Sequence, residues 1–597
     1  MDYARWVSLP AMFFERADER PDTPLLYAKR DGAWRPFTRR LLAERVRNLA
    51  KALMLRGLEP GQRILLIAEN GPEWVIAHFA IMSCGAVTVP AYTTNTKQDH
   101  LHVLTNSGAV GALLAGRGLS RTFLPAAADA PDCRFVIAAE PAAAEGIEVA
   151  DWAAEEAKGA AAPLDLESRL AALQGDRACI FIYTSGTGGT PKGVMLSHRN
   201  ILANCAGAFD LLRDFGLEKA HQSFLSFLPL SHSYEHTAGL CFPISLDADI
   251  YYAESVEKLA ANLTEVRPTL MTAVPRLYES MHLRITSGLR RQPGYRQWLF
   301  HKTVELGRKR HDGQALSLGE RLLDRLLDRL VRRKVQERFG GRLLAMISGG
   351  AALTPEIGTF FQALGLVLLQ GYGQTEAAPV VSCNRPHAVK MRSVGPPLAG
   401  VEVKIAEDGE ILVRGENVMS GYWQDPAGTA LALQDGWLHT GDVGHLDAEG
   451  CIYITDRKKD IIVLSGGDNL SPARLEGLLT MEPEIEQAYV AGDRRPHLVA
   501  LLVPSESLLE RYAAESGKPA ALSALAEDEG FRARLAEAVE RVNAKASVLE
   551  RIRRFVVAPE PFSIENEMMT PTMKIRRHKI KAAYGPVLEA LYDRKGG

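Results

Sequence analysis

The stretch YTSGTGGTPKGVMLSHRN, Tyr183 to Asn200, carries the reading of this chain. It sets hydroxyls (Thr184, Ser185, Thr187, Thr190) and glycines (Gly186, Gly188, Gly189) ahead of Lys192, directly behind the apolar run CIFIYTS. Glycines let successive backbone N–H groups turn toward an anion, hydroxyls donate to phosphate oxygens, and the lysine adds positive charge. This is not a Walker A loop, which needs Gly immediately before Lys; Pro191 stands there instead. An ordinary surface turn rarely concentrates such chemistry at the end of a buried strand. A phosphate-binding loop at the edge of an α/β sheet is therefore expected.

The segments around it fit that sheet. Upstream, Arg40 to Arg56 repeats apolar residues at helical spacing, with Gly57 placed as a C-cap. RILLIAEN from Arg63, PEWVIAHFAIMSCG and AVTVPAY then read as strand, helix and strand, the order of a parallel sheet covered by helices. Residues 117–175, rich in Ala and Pro, read as a peripheral connection with one short strand, CRFVIAAE. Downstream, VRPTLMTAVPRLYE gives a helix and a strand. LLAMISGGAAL and LVLLQGYGQTE are buried strands running into glycine-rich turns. After Met391 the pattern changes to antiparallel strands, and an α+β tail begins near Lys459.

Composition bounds the function. The 597 residues suffice for roughly four domain-sized units. A formal charge of −2 argues against a nucleic-acid binder. Seven scattered Cys without a CxxC pair argue against a disulfide framework or structural zinc, and for a reducing, cytoplasmic compartment. The charged N-terminus does not form a signal peptide, and the apolar run from Val75 is broken by His78, Gly85 and Pro90, so no bilayer span is expected.

Tyr183 to Gly193 resembles the signature of the adenylate-forming superfamily, with Gly188 where the common motif has Thr. Further look-alikes follow in that family's order. LPLSHSYEHTAG resembles its carboxylate-pocket motif, with His232 and Tyr234 at the His and aromatic positions. SGGAALTPE, with Gly349, Gly350 and Ala351, resembles the adenine-side loop. GYGQTE supplies Gly371, Tyr372 and Gly373 around adenine, Thr375 for the α-phosphate and Glu376 for Mg²⁺. HTGDVG places Asp442 to accept from the ribose hydroxyls. ITDRKKDIIVLSGGDNLSP resembles the domain junction, with Arg457 reaching the ribose, Lys459 at the hinge, and Ser465, Gly466 and Gly467 facing the acyl and CoA pocket. Asp468 stands where long-chain relatives often carry Glu. MTPTMKIRRHKI resembles the C-terminal motif of the long-chain branch and puts the catalytic lysine at Lys574.

The resemblance implies an α/β fold: a large lobe of mainly parallel, helix-covered sheets with a small antiparallel or barrel subdomain, and a small mobile α+β cap. It divides the chain into an adenylation domain, 1–457, and a cap, 458–597. It implies a ligase that activates a long-chain fatty acid with ATP and Mg²⁺ and passes the acyl group to CoA, with a homodimer among its assemblies. The rivals are an acyl-AMP ligase or acyl-carrier-protein synthetase using the same first step, and a non-catalytic nucleotide-binding membrane scaffold. A carboxylate-reducing relative would carry further domains beyond Gly597. The stretch from Thr286 to Arg342 reads as a helical, basic insertion. Between Arg290 and Arg342 it holds 15 Lys plus Arg against 6 Asp plus Glu, and Leu322, Leu323, Leu326, Leu327 and Leu330 recur at helical spacing. Such a helix either packs on the core with a solvated face or lies on an anionic membrane.

Overall fold

The apolar run from Arg63 becomes a central strand. Arg63–Ala68 is buried from Ile64 onward and pairs in parallel with Val87–Pro90 on one side and Gly111–Ala115 on the other. The helix between the first two, Pro72–Ser83, begins on Pro and buries every residue except Glu73. A helix apolar on all sides must be enclosed, and here two sheets enclose it. The structure, a computed structural model, describes residues 1–184, 191–570 and 574–593.

One eight-stranded sheet runs from Gly421–Tyr422 through Lys192–Ser197, Ala178–Thr184, Val87–Pro90, Arg63–Ala68, Gly111–Ala115 and Phe135–Ala138 to Glu148–Asp151. The other runs from Val380–Cys383 through Leu368–Gly373, Ala345–Ser348, Leu270–Ala273, Ser223–Ser226, Asp249–Tyr252 and Pro24–Arg30 to Ala33–Thr38. Interior pairings are parallel and the antiparallel ones lie toward the ends. A single apolar core joins the sheets through the enclosed helix, taking in Leu66, Trp74, Phe79, Ile180, Leu270 and Leu369. A five-stranded antiparallel sheet follows. It contains Val401–Ile405, Glu410–Gly415 and Trp437–Leu446, with Leu433–Gln434 and Ile452–Arg457 both pairing to the last.

The C-terminal part has its own cores. Leu498–Pro504 lies between Ile485–Ala491 and Ile552–Val557. Its alternate residues divide between two faces. Leu498, Ala500 and Leu502 join a cluster with Leu475 and Leu535, while Val499, Leu501 and Val503 join one with Ile580 and Leu588. Among the described residues no helix is long and apolar enough to cross a membrane.

Residues 117–175 differ from the sequence expectation of a peripheral connection. They complete one sheet: Phe135–Ala138 is fully buried, Glu148–Asp151 pairs beside it, and helix Trp152–Ala161 packs on helix Arg39–Leu55. Alanine-rich helices carry too little apolar contrast for periodicity to reveal a packed face. Gly159 permits their approach, since a Cβ there would lie 1.8 Å from the Asn48 carbonyl oxygen. Gly159→Ala must push the two helices apart, at a cost of about 2 kcal/mol. The measurement is the urea-unfolding midpoint of the full chain, which should fall; an unchanged midpoint would mean that these backbones are not in contact.

Candidate active site

Ser223–Ser226, Leu270–Ala273, Ala345–Ser348 and Leu368–Gly373 run parallel and end along one edge. Ligands of open α/β sheets bind beyond such carboxyl ends. The turns that follow, including His232–Tyr234, Gly349–Leu353 and Gln374–Glu376, line a cavity of about 2100 Å³ that C-terminal residues cover. Thr184 and Lys192, cross-strand partners in an antiparallel hairpin, close another side. The phosphate segment thus leads into a second strand, and its helix starts only at His198. Ser185, Gly186, Thr187, Gly188, Gly189 and Thr190 lie outside the described residues.

The polar wall is tied together by groups distant in sequence. Lys192 Nζ sits 2.6 Å from Asp425 Oδ2 and 5.2 Å from the Tyr422 ring centroid, and the Tyr422 hydroxyl donates to Glu376 Oε1 at 2.8 Å. Ser233 Oγ and Thr375 Oγ1 are hydrogen-bonded at 3.0 Å. Asp442 is almost wholly buried and holds two donors: the Tyr372 hydroxyl on Oδ2 and Arg457 Nε on Oδ1, each at 2.7 Å. Tyr372 and Arg457 both line the cavity, and their joint hold on Asp442 is new from the structure.

His232 accepts the Tyr234 backbone N–H on Nδ1 at 3.2 Å. Burial, helped by the Lys574 charge, pushes its pKa down to about 3. The ring is therefore neutral at working pH, with Nδ1 accepting and the proton on Nε2. The Tyr234 hydroxyl donates to the Ile347 carbonyl at 2.9 Å, and its ring leaves room only for Gly349, where a Cβ would approach within 2.9 Å. Glu235, which the motif reading passed over, is fully buried; it accepts from Ser226 Oγ at 2.6 Å and Thr272 Oγ1 at 2.7 Å. Burial pushes its carboxyl up to about 7. These bonds fasten the His232 turn to the ends of two strands.

Lys574 enters the cavity from the C-terminal part. Its Cε would lie 3.9 Å from a Cβ on Gly350, whose φ of +85° suits glycine. Solvent reaches this lysine through the cleft, while protein from both sides crowds it. Desolvation, with Arg457 adding repulsion against the pull of Asp442, lowers its ammonium to about 8. Lys459 lies in the turn after Arg457 and also lines the cavity. Ser465, Gly466 and Gly467 do not. They lie in a mostly exposed turn between Ile462–Val463 and Asn469–Leu470, because the pairing of Val463 with Asn469 leaves 464–468 as its tip. Five apolar residues that no motif covers, Leu211, Leu212, Phe224, Phe242 and Leu398, also line the cavity and form an apolar patch of it.

The family model described as AMP-binding enzyme matches residues 13–423, and the one described as AMP-binding enzyme C-terminal domain matches residues 459–596. The chain is 32% identical over 593 residues to the long-chain-fatty-acid–CoA ligase FadD15 of Mycobacterium tuberculosis, covering 98% of this chain and 97% of that one. It is 28% identical to the human long-chain-fatty-acid–CoA ligase 1, covering 92% of this chain and 82% of the relative. Its fold matches the adenylation domain of a carboxylate reductase from Mycobacterium chelonae with a TM-score of 0.75 at 22% identity, over 98% of this chain and 91% of that one. The anthranilate CoA ligase AuaEII, solved with anthranoyl-AMP, matches with a TM-score of 0.74 at 19% identity, over 98% and 99% of the two chains.

The crowding of Lys574 has a direct readout. Desolvation and the Arg457 charge lower its ammonium from the usual lysine value to about 8. Pulse acetylation read by peptide mass spectrometry should therefore modify Lys574 half-maximally near pH 8, well before exposed lysines. Labelling of Lys574 in step with the bulk lysines would contradict the desolvated setting.

Proposed function

The chain belongs to the AMP-binding enzyme family, and on that premise we propose that it is an AMP-forming long-chain fatty acid–CoA ligase with the following division of labour in its cleft. The fatty acid carboxylate oxygen attacks the α-phosphorus of ATP. The bond to the β,γ-phosphates breaks, pyrophosphate leaves with the electron pair, and acyl-AMP forms. The CoA thiol then loses its proton and attacks the acyl carbon, AMP departs, and the thioester remains. Both reactants of the first step are anions, so positioning and charge neutralisation carry the catalysis.

The observation that carries this assignment is the place of Lys574, beside Gly350 at a cavity it shares with Thr184, Lys192, His232 and Glu376. Lys574 bridges acyl and phosphate oxygens. The neutral His232 offers Nε2–H to the carboxylate, and Thr375 holds the α-phosphate. Thr184, Ser185 to Thr190 and Lys192 take the other phosphates. Gly349–Ala351 and Gly371–Gly373 with Tyr372 frame adenine. Asp442 takes the ribose hydroxyls: each oxygen already holds one donor and keeps a second lone pair for the diol. Tyr234 and the apolar patch receive the acyl chain, where each buried methylene contributes roughly 0.8 kcal/mol.

Glu376 fits Mg²⁺. Tyr422 occupies only its Oε1, and among the described residues no group of three His, Cys, Asp or Glu forms a protein-made cage. Mg²⁺ usually binds one or two carboxylates together with phosphate oxygens and water, so a single free carboxylate edge suits it. When bound it would neutralise charge on the ATP phosphates.

The division into 1–457 and 458–597 belongs to the same reading, with Lys459 as the pivot. Turning the cap about it withdraws Lys574 and brings Ser465, Gly466 and Gly467 to the CoA side. A cytoplasmic setting, contact with an anionic membrane and a homodimer complete the reading. The test is pyrophosphate release across acid chain lengths, with and without CoA, for wild type and Lys574→Ala. Wild type should prefer long chains and yield thioester only with CoA. Lys574→Ala should lose at least about 100-fold in acyl-AMP formation, the low end for losing such a group, yet convert supplied acyl-AMP to thioester. Equal loss of both half-reactions would remove Lys574 from its role, and no release with any acid would favour the scaffold.

A further inference from the structure

The helical insertion presents a face that the ligase chemistry does not use. Leu318–Leu327, a π-turn at Asp328–Arg332 and Arg333–Arg338 form one continuous rod, started by a capping box between Ser317 and Glu320. Leu327 packs inward, fully buried, and Leu323 is half-buried. The remaining leucines face out, one per turn: Leu318, Leu322, Leu326 and Leu330 are 79%, 68%, 50% and 41% exposed. A packed helix turns polar residues outward; this one turns out leucines.

Charge is sorted along most of the rod as well. Beside the leucine row run Arg321, Arg325, Arg329 and Arg333, all exposed, and Lys334 continues the leucine row itself. Three acidic residues of the same rod turn away, and the exposed Glu337 alone follows the arginine row at its far end. Asp324 is buried between Arg332 at 2.6 Å and Arg310 at 3.1 Å, Glu320 pairs with Lys309 at 2.7 Å, and Asp328 turns toward Arg332 at 3.9 Å. Those pairs use the cations of the inner face. None of Arg321, Arg325, Arg329, Arg333 or Lys334 has a carboxylate in ion-pair range among the described residues.

We propose that this leucine and arginine face docks the protein flat on an anionic bilayer. The leucines enter the headgroup–acyl boundary, and the arginines bury their stems while holding guanidinium groups at the lipid phosphates. A second copy of the chain is the poorer occupant, because a twofold pairing through this face would bring two arginine rows together. The inference gives a location to the membrane contact in the reading above. Its test needs neither ATP nor acid, so its failure is separate from failure of the ligase assignment.

The experiment is co-sedimentation of the full chain with vesicles of neutral phosphatidylcholine, alone or with one-third anionic phosphatidylglycerol. Leu322→Ser/Leu326→Ser and Arg325→Gln/Arg329→Gln are run beside wild type. Binding is expected only to the anionic vesicles, weakening as salt rises, and about tenfold weaker in either double variant. An unchanged circular dichroism spectrum and urea-unfolding midpoint would certify that the variants are folded. Wild type failing to bind anionic vesicles, or binding undiminished in both variants, overturns the proposal. So does light scattering that finds a lipid-free dimer abolished by the leucine variant, because the face would then belong to a second copy.

Discussion

Everything about the cleft depends on one buried carboxylate. Asp442 receives Tyr372 from the strand Leu368–Gly373 of the large sheet, and Arg457 from its own cross-strand position in the antiparallel sheet. Arg457 is also the last residue of its strand, after which the chain turns at 458–460 into the C-terminal part. A single acceptor thus fixes the large sheet, the smaller sheet and the start of the cap relative to one another. Breaking a buried, doubly bonded carboxylate of this kind leaves polar groups without partners, which is costlier than the bonds alone are worth. The same charge lies close enough to Lys574 to oppose the desolvation that lowers its ammonium. Frame and electrostatics of the site are one arrangement.

What was legible in the sequence follows from what is local. Helix Arg39–Leu55 shows its apolar face at the 3.6-residue period, and Gly57 lies just past its end at φ +77°. Strand Arg63–Ala68 is legible because burial on both faces makes it continuously apolar. Motifs place Thr375, Glu376, Asp442 and Lys574 because each sits in a short run whose residue types are tied to a chemical task. The supports of those residues are not legible. Tyr422 stands 46 residues from Glu376 and Tyr372 stands 70 from Asp442, and no periodicity links positions that meet only through the fold. Glu235 was invisible for another reason: a carboxyl next to a motif tyrosine reads as a solvated charge until its burial is known.

The insertion shows the limit in its plainest form. Five leucines at helical spacing define an amphipathic rod, but spacing does not say which leucines meet the core. Leu323 and Leu327 turn inward while Leu322, Leu326 and Leu330 do not, and the carboxylates of Asp324 and Glu320 follow the inner set. The inner face meets two other helices. At Gly307 a Cβ would come within 2.5 Å of the Ala363 backbone, so the helix Gly294–His311 lies tight against Pro355–Ala363, and Arg332 of the rod donates to the Ala363 carbonyl at 2.9 Å and the Thr303 carbonyl at 3.4 Å.

Cys383 lines the cavity in which the activated acyl group arises. Burial pushes its thiol up to about 12, and all seven cysteines are buried. A thiol attacks as its thiolate, and at neutral pH almost none of Cys383 is in that form. An enzyme that generates an anhydride for capture by sulfur is thus shielded from acylating its own thiol, because burial holds Cys383 in the protonated form. The incoming substrate's sulfur meets no rival thiolate from Cys383.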